Sequence, residues 1–200
     1  ILSSLSTLSF DKRRTEFFTN ELLILLRLIE NKQIDYKTLY GSWAGAFGFF
    51  QFMPSTMKNY AIDYDNNDYI DLKNNVDAYA SAANYLKELG WKKNQPCFYK
   101  INLSNKIPKM YLNVSAKNIH DKKKLGFFRK YIDNNSFIDK NYDNLLVAIV
   151  TPDKDIIPDA ENFNPAFIVF ENYEIILKWN RSLRFSLAVC TLKEKFRDEL

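Results

Sequence analysis

Glycine, cysteine and histidine are all scarce in this chain, with five, two and one copies among 200 residues. The single histidine, His120, stands among lysines and has no neighbour in the sequence with which to bind a metal or act as a general base, so it reads as surface. Cys97 and Cys190 lie far apart and lack metal-ligand spacing. They could pair only if the fold brings them together, and the expectation is two separate buried thiols. No apolar run approaches the roughly 20 residues of a bilayer-spanning helix. There is also no arginine-rich patch interleaved with aromatics. A net charge of +4, drawn from 28 basic and 24 acidic residues spread along the chain, argues against nucleic acid and leaves a mildly basic surface suited to anionic polymers. What remains is an ordinary globular composition, 46% hydrophobic and 26% charged, long enough for one compact unit or two small lobes.

The few glycines are not evenly spread. Gly41, Gly45 and Gly48 fall within the stretch GSWAGAFGFFQFMPST, Gly41 to Thr56, so the backbone there needs positive φ or close approach at several neighbouring points. Ser42 and Gln51 supply hydrogen-bonding groups among Trp43, Phe47, Phe49, Phe50 and Phe52, a mixture suited to a cleft that grips a sugar. Met53-Pro54-Ser55 reads as a stop followed by a helix start.

Around this loop the pattern is helical. Ile1, Leu5 and Leu8 share one face of an opening helix. Asp11 is the expected N-cap of a long second helix with Phe18, Leu22, Leu25 and Ile29 on one side, ended by Asn31 to Asp35. A helical turn is expected around Tyr36 to Tyr40. Val76 to Leu89 reads as another strong helix stopped by Gly90. From Cys97 the composition shifts to Lys, Asn and Asp, with β-prone runs at Phe98 to Leu103 and Leu145 to Thr151. Lys122 to Lys124 read as a solvated face. Pro165 to Phe170 with Tyr173 to Trp179 reads as a hairpin, and Ser182 to Phe196 as a final helix.

The glycine-rich string resembles the signature of the lytic murein transglycosylase B family, periplasmic enzymes that cleave peptidoglycan glycan. The resemblance extends upstream through LSTLSFDKRRTEFFTNEL, downstream through YAIDYDNNDYIDL and SAANYLKELGW, and returns in PAFIVFENYEIILKWNRSLRFSLAV. It implies a mainly α (α+β) fold: a lysozyme-like helical catalytic domain, a small mixed α/β lobe and an EF-hand-like loop. The expected division is residues 1–96 for the helical core with both loops, 97–164 for a small α+β insertion, and 165–200 for a β-hairpin and C-terminal helix completing the core.

The resemblance also implies a reaction. Ordinary glycosidases need two carboxylates, whereas in this family one glutamate protonates the oxygen between N-acetylmuramic acid and N-acetylglucosamine, then helps the muramoyl 6-hydroxyl attack its own anomeric carbon, giving a 1,6-anhydro product. That glutamate sits just upstream of the block that begins here at Ile1, so the acid is expected to be missing and the chain to be a fragment that binds rather than cuts. Glu16 and Glu21 match family positions that are not the acid, and Glu30 and Glu88 read as solvated. Carried over by resemblance as substrate-binding residues are Arg13 and Arg14 along the groove, Ser42 and Gln51 near the acid, Tyr85 facing the sugar, and Asn180 flanked by Trp179 and Phe185. For Ser42 the competing reading is a hydrogen bond inside the loop, for the arginines surface ion pairs, and for Tyr85 a core role.

A second pattern concerns metal. Asp63, Asp65, Asn67, Tyr69 and Asp71 alternate as the first positions of an EF-hand loop do, but Asp68 stands where the turn glycine belongs and Asn74 where a closing Glu would be. The family resemblance implies a longer loop closed by Asp77, hence Asp63, Asp65, Asn67, the Tyr69 carbonyl and Asp77 as ligands for a structural Ca²⁺; an acidic turn without metal is the alternative. The chemistry needs no cofactor. Peptidoglycan strands are the expected partner of a monomeric, periplasmic protein, with any membrane contact made through an anchor outside this chain. The alternatives are a non-catalytic peptidoglycan-binding module and a Ca²⁺-stabilised scaffold without a glycan partner.

Overall fold

The computed structural model describes residues 1–104, 106–133, 135–151 and 165–199. Residues 152–164, the end of the expected insertion, lie outside the described residues. The chain divides into two compact units, Ile1–Leu89 and Gly90–Leu200. Among the described residues no helix is long and apolar enough to cross a membrane.

The first unit is helical. Helix α1 (Leu2–Phe10) buries Leu5 and packs on α2 (Thr15–Glu30), whose inner face is Phe18, Glu21, Leu25 and Leu28. Leu22 and Ile29 flank that stripe and are half-buried. Asp11 is not the N-cap of α2. It caps the C-terminus of α1 instead, its N–H donating to the Thr7 carbonyl, while Arg14 occupies the N-cap of α2. The expected turn appears at Tyr36–Thr38. Helix α3 (Pro54–Tyr60) starts where the sequence places it, because Pro54 at its first turn has its φ already set and no N–H to lose. Helix α4 (Asn75–Glu88) is capped by Asn74, which accepts from the Val76 N–H, and Gly90 at φ +96° stops it.

The second unit carries a small mixed sheet. Its strands are β1 (Phe98–Leu103), β2 (Leu112–Asn113), β3 (Lys123–Lys124), β4 (Ile132–Asp133), β5 (Leu146–Val150) and β6 (Ala166–Val169). The order is β2-β5-β6-β1-β4, with β3 also on β5; β2 and β5 are parallel and the other pairs antiparallel. One sheet therefore joins strands from both sides of the boundary expected at residue 164. Ile101, Ile149, Ile168 and Phe170 form its core with Leu125 and Phe128 of the short helix α5 (Leu125–Phe128). Lys123 and Lys124 are exposed as expected, on an edge strand whose charge discourages further pairing.

Two expectations fail here. The run Tyr173 to Trp179 is not the second strand of a hairpin but part of helix α6 (Glu171–Trp179). Glu171 and Glu174 in its first turn suit the positive end of the helix dipole, and Tyr173, Ile176 and Leu177 recur at helical spacing on its buried side. Nor are the cysteines separate thiols. Cys97 and Cys190 form a disulfide with Cα atoms 5.8 Å apart, joining the start of β1 to helix α7 (Leu183–Glu199).

Candidate functional site

The glycine-rich segment folds into a tight double turn before α3. Phe47 and Phe52 exchange backbone hydrogen bonds of 3.0 and 2.9 Å, and Phe49 N–H donates to the Leu72 carbonyl at 2.9 Å. Gly48 sits at φ +76°, and a Cβ there would run into Leu72, so conformation and space both require glycine. The aromatics divide. Phe47 and Phe52 are core residues, 3% and 2% exposed, while Trp43 and Phe49 project outward.

Gln51 lies in the left-handed region at φ +52°, which is uncommon for a residue other than glycine. Its N–H and its side-chain Nε2 both donate to the Gly48 carbonyl, at 3.2 and 3.0 Å. The residue is exposed, and no hydrogen bond to Oε1 is found among the described residues. Strain of this kind persists where the surrounding structure imposes it, and it gathers at ligand-binding sites. Ser42 Oγ accepts from the Ala46 N–H at 3.0 Å, the loop-internal bond weighed as its alternative role; the hydroxyl proton is still available to donate.

Arg13 and Arg14 are exposed between α1 and α2; Arg14 lies over the Phe17 ring at 4.2 Å and is in no ion pair among the described residues. Tyr85, half-buried on α4, packs edge-on against Phe52 at 5.6 Å and tilted against Tyr60 at 4.6 Å, and burial followed by the Tyr60 hydroxyl raises its pKa. The remaining predicted residues belong to the second unit. Asn180 is exposed at the C-cap of α6, Trp179 before it is half-buried, and Phe185 is exposed in the first turn of α7 with its N–H donating to Ser182 Oγ at 3.2 Å.

Glu21 is 4% exposed, and both carboxylate oxygens are engaged: Oε2 accepts from Ser55 N–H at 2.8 Å and Oε1 from Ser55 Oγ at 2.6 Å. A buried charge thus terminates in the first turn of α3, where unpaired N–H groups need an acceptor. Glu16, Glu30 and Glu88 are exposed.

The acidic loop brings three carboxylates together. Asp63, Asp65 and Asp77 each place an oxygen within 4.8 Å of the others. Asp77 accepts from the Tyr64 and Asp71 N–H groups at 2.9 and 3.0 Å, and Asp63 from those of Asn67 and Asp68 at 3.1 and 2.8 Å. Asp68, in the place of the missing glycine, adopts φ +67°, and Asn66 φ +57°. Aspartate and asparagine tolerate this region better than other non-glycine residues, so the turn survives the substitution. Asn74 does not close the loop; it caps α4 and donates to Asp65 at 3.3 Å. Desolvation, then repulsion from Asp77, pushes the Asp65 carboxyl above its ordinary value. Such a cluster of hard oxygen donors fits a divalent cation, which would relieve that repulsion.

Residues 1–194 match the family model described as "Transglycosylase SLT domain". The membrane-bound lytic murein transglycosylase B of Escherichia coli (strain K12) is 48% identical over 94 residues, covering 46% of this chain and 26% of that protein. The crystal structure of SltB3 from Pseudomonas aeruginosa in complex with NAG-NAM-pentapeptide superposes with a TM-score of 0.84 at 31% identity, over 98% of this chain and 50% of that one. Escherichia coli Slt35 in complex with calcium gives 0.73 at 28% identity, over 96% and 57%. The chain thus spans about a quarter of the curated relative (26%) and about half of these solved chains (50% and 57%). Its α+β architecture is that of the lysozyme-like lytic transglycosylases, and the chain belongs to the transglycosylase SLT domain family.

Proposed function

We propose that this chain is the glycan-binding part of a lytic transglycosylase that cleaves the β-1,4 bond between N-acetylmuramic acid and N-acetylglucosamine, with a 1,6-anhydromuramoyl product. The observation that carries this reading is the loop at residues 41–52, which holds Gln51 exposed in a strained conformation within the glycine-rich string that resembles the family signature. Gln51 Oε1 and the Ser42 hydroxyl offer an acceptor and a donor to a sugar or to the catalytic carboxyl. Arg13, Arg14 and Tyr85 of the first unit, and Asn180, Trp179 and Phe185 of the second, are the further residues proposed to bind glycan.

The proton donor is not among the glutamates considered above. Glu21 has both oxygens committed to Ser55, and Glu16, Glu30 and Glu88 are solvent-exposed. A carboxylic acid that must protonate a glycosidic oxygen and then accept the proton of the 6-hydroxyl needs a free oxygen in the cleft. The same observation favours, as a second reading, a binding module without chemistry. The 200-residue chain should therefore release no 1,6-anhydromuropeptides from purified peptidoglycan, as read by mass spectrometry of the digest. Anhydro product that disappears in Glu16→Gln or Glu21→Gln would overturn the assignment. Muropeptide binding should persist, and Gln51→Ala and Asn180→Ala should each weaken it roughly 2- to 12-fold, the equivalent of one neutral hydrogen bond.

Asp63, Asp65 and Asp77, with Asn67 and the Tyr69 carbonyl, are the proposed holders of a structural Ca²⁺; the chemistry itself needs no cofactor. An ion bound only by the folded chain stabilises by mass action, about 2.7 kcal/mol at a hundred times its dissociation constant. Calcium should raise the thermal midpoint of the wild type and leave Asp63→Ala unchanged. Asp65→Asn should melt higher than wild type in chelator. A raised folded-state pKa means that this group favours folding only while protonated, and that contribution is lost as pH rises through its titration. Equal melting of wild type with calcium and with chelator would rule the metal out.

The disulfide supports an oxidising compartment, and hence the periplasm, as the site of action. A monomeric state and any attachment to the outer membrane through a segment outside these residues belong to the same proposal.

A further inference from the structure

A groove in the second unit uses none of the residues assigned above. Its volume is about 720 Å³, within the roughly 300–1,000 Å³ of small-ligand sites. One wall is the turn and first strand residues from Lys93 to Lys100, the other is α7 from Thr191 to Lys195, and Tyr142 closes one side. The Cys97–Cys190 bond ties the two walls together, with both cysteines buried.

The groove is formed in advance. Asn172, fully buried on α6, accepts from the Lys92 N–H and donates to the carbonyls of Lys92 and Gln95, all at 2.8 Å, which pins the turn at both ends. Tyr99 and Tyr142 are each held edge-on to Phe170, at 5.9 and 5.7 Å. A ligand entering such a groove does not bear the cost of ordering it.

Its charge is one-sided. Lys93, Lys100, Lys193 and Lys195 face a single acid, Glu194, giving the groove +3 against +4 for the whole chain. Glu194 is already bridged by Lys193 at 2.7 Å, while Lys93, Lys100 and Lys195 are in no ion pair among the described residues. Gln95 adds a shielded Oε1 without a hydrogen-bond partner among the described residues, an acceptor suited to an N–H. Several carboxylates on an amide backbone satisfy these groups together. Nucleic acid fits less well, because the two tyrosine rings are locked against the core and offer no open stacking platform.

We propose that this groove binds a short, carboxylate-rich peptide, and, on the reading that the protein acts on peptidoglycan, that its occupant is the peptide stem of the glycan strand. It would then hold the substrate by its side branch, independently of the sugar contacts.

The test is an NMR titration of the isotope-labelled 200-residue chain with a free stem tetrapeptide, the same peptide with its carboxyls amidated, a peptide-free glycan oligomer and a single-stranded oligonucleotide. The stem peptide should saturate shifts at Gln95, Tyr99, Lys100 and Thr191, and bind more weakly as salt rises. Amidation should cost on the order of tenfold, and Lys100→Gln and Lys195→Gln about 2- to 5-fold each, as expected of partly exposed charge pairs. Equal affinity for the amidated peptide, tighter binding of the oligonucleotide, or no saturable shift in the groove would overturn the proposal. If the glycan perturbs residues 41–52 while the stem peptide leaves the groove silent, the groove proposal alone fails. If the peptide binds in the groove and the glycan binds nowhere, the groove is upheld and the transglycosylase reading fails.

Discussion

Breaking the Cys97–Cys190 bond should lower the stability of the second unit by roughly 4–5 kcal/mol, because the bond closes a loop of 93 residues and restricts the unfolded chain accordingly. For a unit of this size the loss corresponds to a fall of roughly 10–20 °C in its thermal midpoint. The bond ties the first strand of the sheet to the last helix. Differential scanning calorimetry with and without reductant reads the effect. The doubly substituted chain Cys97→Ser/Cys190→Ser should melt like the reduced wild type and ignore reductant. A wild type whose melting is unchanged after its thiols are shown to be free would contradict the structural importance given to the bond.

Glu21→Ala should be the most damaging single substitution on the polar side of the first unit, costing about 2–4 kcal/mol. It removes a carboxylate that accepts two hydrogen bonds, each of the charge-assisted kind worth about 1.5–3 kcal/mol, and leaves the part-buried Ser55 N–H without that acceptor. Glu21→Gln should cost less. Its carbonyl can keep the Ser55 N–H while the serine hydroxyl turns to accept from the new amide. Denaturant unfolding of the two variants measures the difference, and an alanine variant within about 0.5 kcal/mol of wild type, the range of ordinary surface changes, would show that the Ser55 contacts contribute little to stability.

The disulfide and the Glu21–Ser55 pair differ from the rest of the chain in how far apart their partners lie. The glycine-rich loop, the start of α3 at Pro54 and the stop at Gly90 are local matters, decided by φ preferences and donors within a few residues. They were legible. The disulfide and the Glu21–Ser55 pair join positions 93 and 34 residues apart, and nothing in either neighbourhood announces the partner. The helix at Glu171–Trp179 was misread because a short run containing Ile175 and Ile176 suits a buried strand as well as a buried helix; the acidic first turn was the available signal. Asp11 has the side chain of an N-cap, but the chain turns through Arg14 before α2 begins. At the candidate site the residue types were legible while the backbone was not: the sequence marks Gln51 as polar, and only the fold shows it left-handed and braced on Gly48.

The bond from Phe49 N–H to the Leu72 carbonyl, and the absence of any room beside Gly48 except that which Leu72 leaves, make one mechanical piece of two loops. Leu72 follows directly on Asp71, whose N–H is held by Asp77 in the acidic cluster. On the proposed reading, a cation bound at that cluster would steady the turn that presents Gln51, and a sugar held by Gln51 would steady the cluster in return. Thermodynamic reciprocity would then require the two effects to be equal in size: whatever factor calcium added to glycan affinity, glycan would add to calcium affinity.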